Sequence, residues 1–277
     1  ATTDYDLVII GAGPAGLTAG IYAARARMNV LLLEKAAPGG QILITDWIEN
    51  YPGFPEGISG YDLSEKMKQQ AEQLDLKIET AEVQSLNLSG EVKEIVLRDS
   101  KITTKTIILA SGASPKQLGI GEDKFFGKGV SFCATCDAPF FRDKTVVAVG
   151  GGDTAVQESL FLTKFAKKVY LVHRRDELRA SKILQERAFA NDKIEMVWDS
   201  VATGVEGFFG VEGVKVKNVK TDEETTLKAD GCFIWVGILP NGDFIGDDVS
   251  KDEWGFINAD EKMETSVPGV FVAGDVR

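Results

Sequence analysis

Two stretches of this chain show the same succession of apolar and polar positions. In the first, the apolar run Asp6-Leu7-Val8-Ile9-Ile10 leads into Gly11-Ala12-Gly13-Pro14-Ala15-Gly16. A segment with Leu17, Ile21 and Ala24 at helical spacing follows, and then the apolar run Val30-Leu31-Leu32-Leu33. In the second, Thr145-Val146-Val147-Ala148-Val149 leads into Gly150-Gly151-Gly152-Asp153-Thr154-Ala155, a segment carrying Val156 and Leu160, and the run Val169-Tyr170-Leu171-Val172. Short apolar runs bounded by turn residues predict buried strands, and an i, i+4, i+7 stripe predicts a helix packed on them. Each stretch therefore predicts a strand-helix-strand unit, and the chain carries the unit twice.

The glycines give these units a chemistry. Following a strand and opening a helix, the first glycine of G-x-G-x-x-G/A permits the tight turn, the second lets the backbone approach a pyrophosphate, and the third position lets helix and strand pack closely. The diphosphate then rests on the helix N-terminus, where unpaired N–H groups and the helix dipole favour negative charge. Two units imply two dinucleotides. Glu34 and His173 stand equally far from the first glycine of their units, each just past the second strand. A carboxylate at Glu34 can accept hydrogen bonds from a ribose, as the adenosine of FAD offers. His173 is followed by Arg174 and Arg175, and guanidinium forks hold a ribose 2′-phosphate that a carboxylate would repel, so the second site reads as one for NADP(H). A solvated basic cluster is the competing reading of that triplet.

Two further pieces read as flavin contacts. Thr106-Ile107-Ile108-Leu109 runs into Ala110-Ser111-Gly112-Ala113, and Val270-Phe271-Val272-Ala273 runs into Gly274-Asp275. Small residues at the carboxyl end of a strand permit the close backbone approach that ligands of open α/β sheets require. One flavin piece thus lies near each end of the chain, with the second unit in the interval. The expected architecture is α/β: two Rossmann-like three-layer dinucleotide-binding domains, the NADPH domain inserted into the FAD domain. The turn-rich segments Gly112–Pro115 and Gly237–Gly242 place the FAD domain at 1–113 and 243–277 and the NADPH domain, with the CxxC, at 114–242. Two crossings form a natural hinge.

Composition narrows the class. The chain has 277 residues, 44% hydrophobic and 26% charged, with a formal charge of −11 and no basic block, which argues against nucleic acid or an anionic membrane as partner. The stretch Leu7–Ala26 is broken by Gly11, Gly13, Pro14, Gly16 and Gly20, so it does not read as a membrane span. The N-terminal segment carries acids where a secretory signal carries basic residues, and the expected compartment is the cytoplasm.

Three cysteines are too few for a disulfide framework. Cys232, within Cys232-Phe233-Ile234-Trp235-Val236, reads as a core residue of a buried strand. Cys133 and Cys136 form a CxxC. Half a zinc site and a pair of inert thiols are alternatives to a redox pair; a structural zinc needs four Cys or His ligands, and with one histidine in the chain no metal is expected. The CxxC spacing readily closes a disulfide and tunes thiolate reactivity, in a chain that carries two redox cofactors. Asp137 could pass a proton to a departing thiolate, or could equally be a capping or surface acid.

With GAGPAG at Gly11 to Gly16, Gly39-Gly40-Gln41, Glu49-Asn50-Tyr51-Pro52-Gly53, CATCD at Cys133 to Asp137, GGGDTA at Gly150 to Ala155, HRR at His173 to Arg175 and AGDV at Ala273 to Val276, the chain resembles the low-molecular-weight thioredoxin reductases from Asp6 to Arg277. The resemblance implies a tightly held FAD, NADPH as donor, a homodimer, and thioredoxin as the disulfide substrate. It implies Cys136 against the flavin, Cys133 as the residue that meets thioredoxin, and Asp137 as acid. It also implies that the nicotinamide domain rotates between two poses. The expected FAD contacts are Gly11, Gly13, Pro14, Ala15, Gly16, Glu34, Gly40, Gln41, Asn50, Ala110, Gly112, Gly274 and Asp275. Those for NADPH are Gly150, Gly152, Asp153, Thr154, Ala155, His173, Arg174, Arg175 and Arg179. Phe140 and Phe141 match aromatic positions near the thioredoxin-facing surface, with buried core as the alternative. The family continues past the Gly-Asp-Val with an Arg-Gln pair and a helix closing over the flavin, so a truncated C-terminal part is expected. Two rival functions stay open: a flavoprotein disulfide reductase of the same fold with another donor or acceptor, and a non-enzymatic flavin redox sensor.

Overall fold

The structure, a computed structural model, describes residues 2–277. The chain divides into two compact units, Ala1–Ser114 with Leu239–Arg277, and Pro115–Ile238.

The first unit opens with β1 (Tyr5–Ile10), α1 (Pro14–Arg25) and β2 (Val30–Glu34), continues through α2 (Gly60–Glu72), β3 (Lys77–Thr80), β4 (Ser85–Asn87), β5 (Lys93–Val96) and β6 (Lys101–Leu109), and leaves by β7 (Ala113–Pro115). Within the second unit lie β8 (Val130–Ser131), α3 (Ala134–Asp137), β9 (Thr145–Gly150), α4 (Asp153–Leu162), β10 (Lys168–Val172), α5 (Lys182–Phe189), β11 (Ile194–Val197), the antiparallel β12 (Ser200–Glu206), β13 (Gly213–Asn218) and β14 (Glu224–Lys228), and β15 (Gly231–Trp235). The chain returns through β16 (Ile238–Pro240) and adds β17 (Val270–Val272) beside β6.

The first sheet has the order β3-β2-β1-β6-β5-β4, with β17 also on β6. Strands β1, β2, β3, β6 and β17 run parallel, whereas β5 pairs antiparallel with β6 and β4 antiparallel with β5. The central β1 and β2 read as continuous apolar runs because both faces are covered. Leu7 and Ile9 pack with Leu17, Ala23 and Ala24 of α1 and Ala71 of α2 on one face. Val8 and Ile10 pack on the other with Ile95, Ile107, Val270 and the C-terminal residues Ile245, Ile257 and Val276. Each fully buried Leu or Ile of this kind contributes about 1.5–3 kcal/mol over an exposed one.

The second sheet, β11-β10-β9-β15-β8, repeats the arrangement. Val146, Ala148, Leu171 and Phe233 face Val156 and Leu162 of α4 and Ala188 of α5. Val147, Val149, Cys232 and Ile234 face Val214 and Val216 of the small antiparallel sheet, which here takes the place of a helical layer. In both sheets the first strand of the repeated unit is flanked on one side by its own successor and on the other by a strand from much later in the chain. The carboxyl ends of β1 and β9 are thus topological switch points, where open α/β sheets bind ligands.

The crossing segments read as turns in the sequence, yet β7 and β16 form a two-stranded sheet. Asn241 explains the order of this region: its N–H donates to the Gly112 carbonyl at 2.9 Å, its side-chain amide donates to Ser111 O at 3.0 Å, and it accepts from the Ser111 and Ser114 hydroxyls at 2.6 Å each.

Candidate active site

At the end of β1 the chain turns through Gly11 with φ +104°, and an added Cβ would lie 2.3 Å from the Ala110 carbonyl oxygen. A Cβ on Gly16 would lie 1.8 Å from the Gly11 oxygen, so α1 starts in direct contact with the turn. Gly13 caps α1 without a side-chain acceptor, and Pro14 is its first residue. The first N–H groups of the helix therefore face outward without an intrahelical partner. Glu34 folds back onto this loop: one carboxylate oxygen accepts the Ala12 N–H at 2.8 Å and the other the Ala36 N–H at 3.0 Å. Around them a cleft of about 310 Å³ is lined by Gly11, Glu34, Val83, Ser111 and Asn241, among others. Gly274, with φ +76°, lies against Ala15, where a Cβ would come within 2.9 Å of that residue's own. Gly40 approaches Gly13, and Gln41 donates to the Ala113 carbonyl at 2.9 Å. The structure thus brings together Gly11, Gly13, Pro14, Ala15, Gly16, Glu34, Gly40, Gln41, Ala110, Gly112 and Gly274. Asp275 is exposed beside them in sequence, and Asn50 lies exposed in the loop before α2.

The second loop is built on the same plan. A Cβ on Gly150 would lie 2.4 Å from the Trp235 carbonyl oxygen and 2.6 Å from the Ala155 methyl. Gly152 caps α4 without a side-chain acceptor, and the space where its side chain would be is open. Arg179 and Ala180 both donate their N–H to Gly151 O, at 2.8 and 3.1 Å, and Asp153 accepts the Ser181 N–H at 2.6 Å. Asp153 is therefore a latch that holds the Arg179 segment against the loop, and Thr154 is exposed.

The structure separates the basic triplet. Arg174, Arg175 and Arg179 are exposed, but His173 is 5% exposed and lies beneath the loop: a Cβ on Gly151 would fall 2.2 Å from its Nδ1. Its Nε2 has no partner, and its ring meets Trp198 edge-on at 6.5 Å. Burial holds the imidazole below the ordinary value of 6.5, and the charges of Arg179 and Arg174 push the same way against backbone groups at Glu177 and Gly150. His173 is a neutral wedge under the glycine loop. Ala12, Gly151, Trp198 and Asn241 were missed by sequence reasoning. The exchange of Ala12 for Gly151 at one motif position was the available signal for a bulky neighbour under the second loop.

Cys133 and Cys136 form a disulfide. Cys133 precedes α3, and the Cys136 N–H points at its sulfur at 3.1 Å, a contact that stabilises negative charge there once the bond is reduced. Asp137 ends α3 and, though it precedes a 3₁₀ turn, makes no side-chain cap. It lines a cleft of about 450 Å³ with Phe140 and Phe141. The two phenylalanines diverge: Phe140 is 73% exposed, while Phe141 is buried against Phe233. Cys232 is fully buried, and burial pushes its thiol up to about 12, which removes it as a nucleophile. Among the described residues, no group of three or more His, Cys, Asp or Glu is placed to hold a metal, and no helix is long and apolar enough to cross a membrane.

A sequence profile described as pyridine nucleotide-disulphide oxidoreductase matches residues 5–277. The chain belongs to this family. Among its relatives, the thioredoxin reductase of Peptoclostridium acidaminophilum is 44% identical over 280 residues, covering 99% of this chain and 89% of the relative. The thioredoxin reductase of Treponema pallidum is 45% identical over 276 residues, with 99% and 90% covered. The crystal structure of Lactococcus lactis thioredoxin reductase shares 46% identity, covers 99% of this chain and 90% of its own, and superposes with a TM-score of 0.96. As a pyridine nucleotide-disulphide oxidoreductase, the chain is a flavoprotein enzyme whose cofactors are FAD and NADPH. Both loops fit a dinucleotide: each presents an uncapped helix start with room at its capping glycine, Gly13 or Gly152, while Gly11, Gly16, Gly150 and Gly151 have no room for side chains.

Proposed function

We propose that this chain is a thioredoxin-disulfide reductase that passes electrons from NADPH through FAD and the Cys133/Cys136 pair to thioredoxin. The observation that carries the reading is the Cys133–Cys136 disulfide in a chain with two dinucleotide loops of opposite charge character. In the first loop, Gly11, Gly13, Pro14, Ala15 and Gly16 hold the FAD diphosphate on α1, and Glu34, in the 310 Å³ cleft, accepts from the adenosine ribose while it binds Ala12. Ala110, Gly112, Gly40, Gln41, Asn50, Gly274 and Asp275 complete that site. In the second, Gly150, Gly152, Thr154 and Ala155 receive the NADPH diphosphate, Arg174, Arg175 and Arg179 hold the 2′-phosphate, and Asp153 and His173 position the loop.

When bound, the two cofactors would supply a hydride equivalent, which takes the Cys133–Cys136 bond to one thiolate and one thiol. The chain's own residues perform the exchange. The Cys133 thiolate, stabilised by the Cys136 N–H, attacks one sulfur of the thioredoxin disulfide and expels the other, which takes a proton from Asp137. Cys136 then gives its proton back to Asp137 and attacks Cys133 in the mixed disulfide, restoring the internal bond and expelling the second thioredoxin sulfur, which takes a proton from solvent as reduced thioredoxin leaves. A cytoplasmic location and a homodimer, which the resemblance to the low-molecular-weight thioredoxin reductases implies, are part of this proposal.

The test is NADPH-dependent thioredoxin reduction by the FAD-loaded chain, compared with Cys133→Ser and Cys136→Ser. The parent turns over thioredoxin, and both variants lose turnover while NADPH still bleaches the flavin band. Near-parental turnover in either variant overturns the mechanism, and a parent that takes up electrons from NADPH without thioredoxin turnover points to the redox sensor.

A further inference from the structure

We propose that the Phe208–Phe209 tip between β12 and β13 is a second anchor of the docking surface for the protein disulfide substrate; this rests on the thioredoxin reading above and goes beyond the disulfide and its immediate neighbours. Among the described residues, the three most exposed large apolar side chains are Phe209 at 86%, Phe208 at 82% and Phe140 at 73%. Phe140 lines a cleft together with Asp137, and the same cleft is lined by Gly210 and Val211, the two residues that follow the Phe-Phe pair.

The tip is held in place. Gly207 takes φ +157°, and a side chain on it would lie 1.8 Å from the Gly210 oxygen. Glu212 N–H donates to Glu206 O at 2.8 Å, and Val211 N–H donates to Lys128 O at 3.0 Å, which ties the loop to the segment before β8, itself part of the cleft lining. The two rings meet edge to face with centroids 4.8 Å apart. Two phenylalanines kept in water on an anchored turn give up the stabilisation that burial would bring, and exposed apolar groups of this kind mark interaction sites. A pre-set tip also loses little conformational freedom when covered.

The identity of the occupant follows from the chemistry of the cleft. A protein whose disulfide must reach Cys133 covers about 800 Å² of this surface around the sulfur, far more than the disulfide itself offers. Such a footprint centred near Asp137 and Phe140 takes in the cleft they share with Gly210 and Val211, and with it the adjoining Phe-Phe turn. Aromatic side chains dominate the energetics of interfaces of this size. The partner is thus a thioredoxin-class protein with an apolar collar around its disulfide, one side of which contacts Phe140 and the other the Phe208–Phe209 tip. A small-molecule disulfide reaches the sulfurs without touching the tip.

The experiment compares the FAD-loaded parent with Phe208→Ser/Phe209→Ser and with the aromatic control Phe208→Tyr/Phe209→Tyr. In the serine variant KM for thioredoxin rises on the order of tenfold or more with kcat little changed, while flavin reduction by NADPH and reduction of 5,5′-dithiobis(2-nitrobenzoate) stay at the parental rate. The tyrosine variant keeps KM near the parent's. An unchanged thioredoxin KM in the serine variant overturns the docking surface, as does loss of self-association in sedimentation with thioredoxin KM intact, which would give the tip to a second copy of the chain. A parent that reduces no thioredoxin overturns the underlying reading instead, so the two failures are distinct.

Discussion

The two glycine loops share a backbone plan and differ in what supports them. In the first, Glu34 reaches the Ala12 N–H through a carboxylate oxygen 2.8 Å away. In the second, the equivalent His173 places an imidazole face against Gly151, the residue equivalent to Ala12. A carboxylate is narrow and approaches along the N–H, so a methyl is tolerated at Ala12. An imidazole fills the volume a methyl would need, so Gly151 has none. Helix contact shows the reverse trade. Gly16 has no room for a Cβ against the Gly11 oxygen, whereas Ala155 carries a methyl that packs on Gly150. One topological position therefore serves two purposes: Glu34 is a polar support that can also accept from a ribose, and His173 is a neutral spacer that leaves the charge to Arg174, Arg175 and Arg179.

The largest expected effect comes from putting the first loop's residue into the second. Gly151→Ala drives a methyl into the His173 ring, and overpacking of this kind costs about 1–3 kcal/mol. The loop must move to relieve it, and a misplacement near 1 Å costs on the order of a hundredfold in efficiency. The expected outcome is a large rise in KM for NADPH, with partial rescue in Gly151→Ala/His173→Ala, where the ring is gone. Steady-state kinetics with both variants check it, and an unperturbed Gly151→Ala breaks the comparison.

Next in size is the charge difference. Removing both exposed guanidinium groups, Arg174→Ala with Arg175→Ala, deprives the 2′-phosphate of charged hydrogen bonds worth roughly 1.5–3 kcal/mol each before solvent exposure reduces them. KM for NADPH rises by about tens of fold, while the reaction with NADH, which lacks that phosphate, is nearly unchanged. Equal efficiency of parent and variant with NADPH would show the arginines to be a solvated cluster.

How much of this was legible beforehand depends on the residue. The strand-helix-strand units could be read because apolar periodicity and glycine spacing are local signals, and β1, α1, β2, β9, α4 and β10 lie where that pattern puts them. The three-stranded sheet β12–β14 was not read: its strands are half-exposed and polar, and only their pairing over Val147 and Val149 reveals the alternation. His173 looked like a member of a charged triplet because sequence adjacency hides direction. Successive residues leaving a strand point to opposite sides, which buries His173 and exposes Arg174. Phe208 and Phe209 belong to no motif and drew no reading from the sequence. Their flanking glycines, Gly207 and Gly210, were the sign of a turn.

A smaller effect is expected from Glu34→Gln in the first loop. The amide is nearly isosteric but has a single acceptor oxygen, so only one of the Ala12 and Ala36 N–H groups keeps its bond, and the other faces an NH₂ group. Leaving one backbone donor unsatisfied costs about 1–3 kcal/mol when it is buried and less in a partly open cleft. FAD retention, measured by ultrafiltration against the parent, falls by about tenfold or less, and NADPH binding is unaffected because it belongs to the other loop. Unaltered flavin retention would show that Glu34 serves the loop alone.

The smallest effect is a pH dependence confined to the second loop. His173 is held neutral by burial, with Arg174 and Arg179 adding to the same bias and the Trp198 edge and Gly151 backbone offering it no anion. Its folded-state pKa is depressed, so below the ordinary imidazole value of 6.5 the unfolded chain binds a proton that the folded chain resists. By linkage, stability rises with pH wherever the unfolded state holds more protons. The contribution of neutral His173 is therefore complete above that value and is lost progressively as pH falls through it toward the folded pKa. His173→Gln removes the titration while keeping a polar side chain of similar reach. Thermal unfolding followed at about pH 7.5 and about pH 5.5 should show a smaller loss in the variant than in the parent, and KM for NADPH should climb on acidification in the parent alone. The first loop has no imidazole beneath it, so flavin retention should not follow the same curve; if it does, the acid sensitivity belongs to the whole fold rather than to the wedge beneath Gly151.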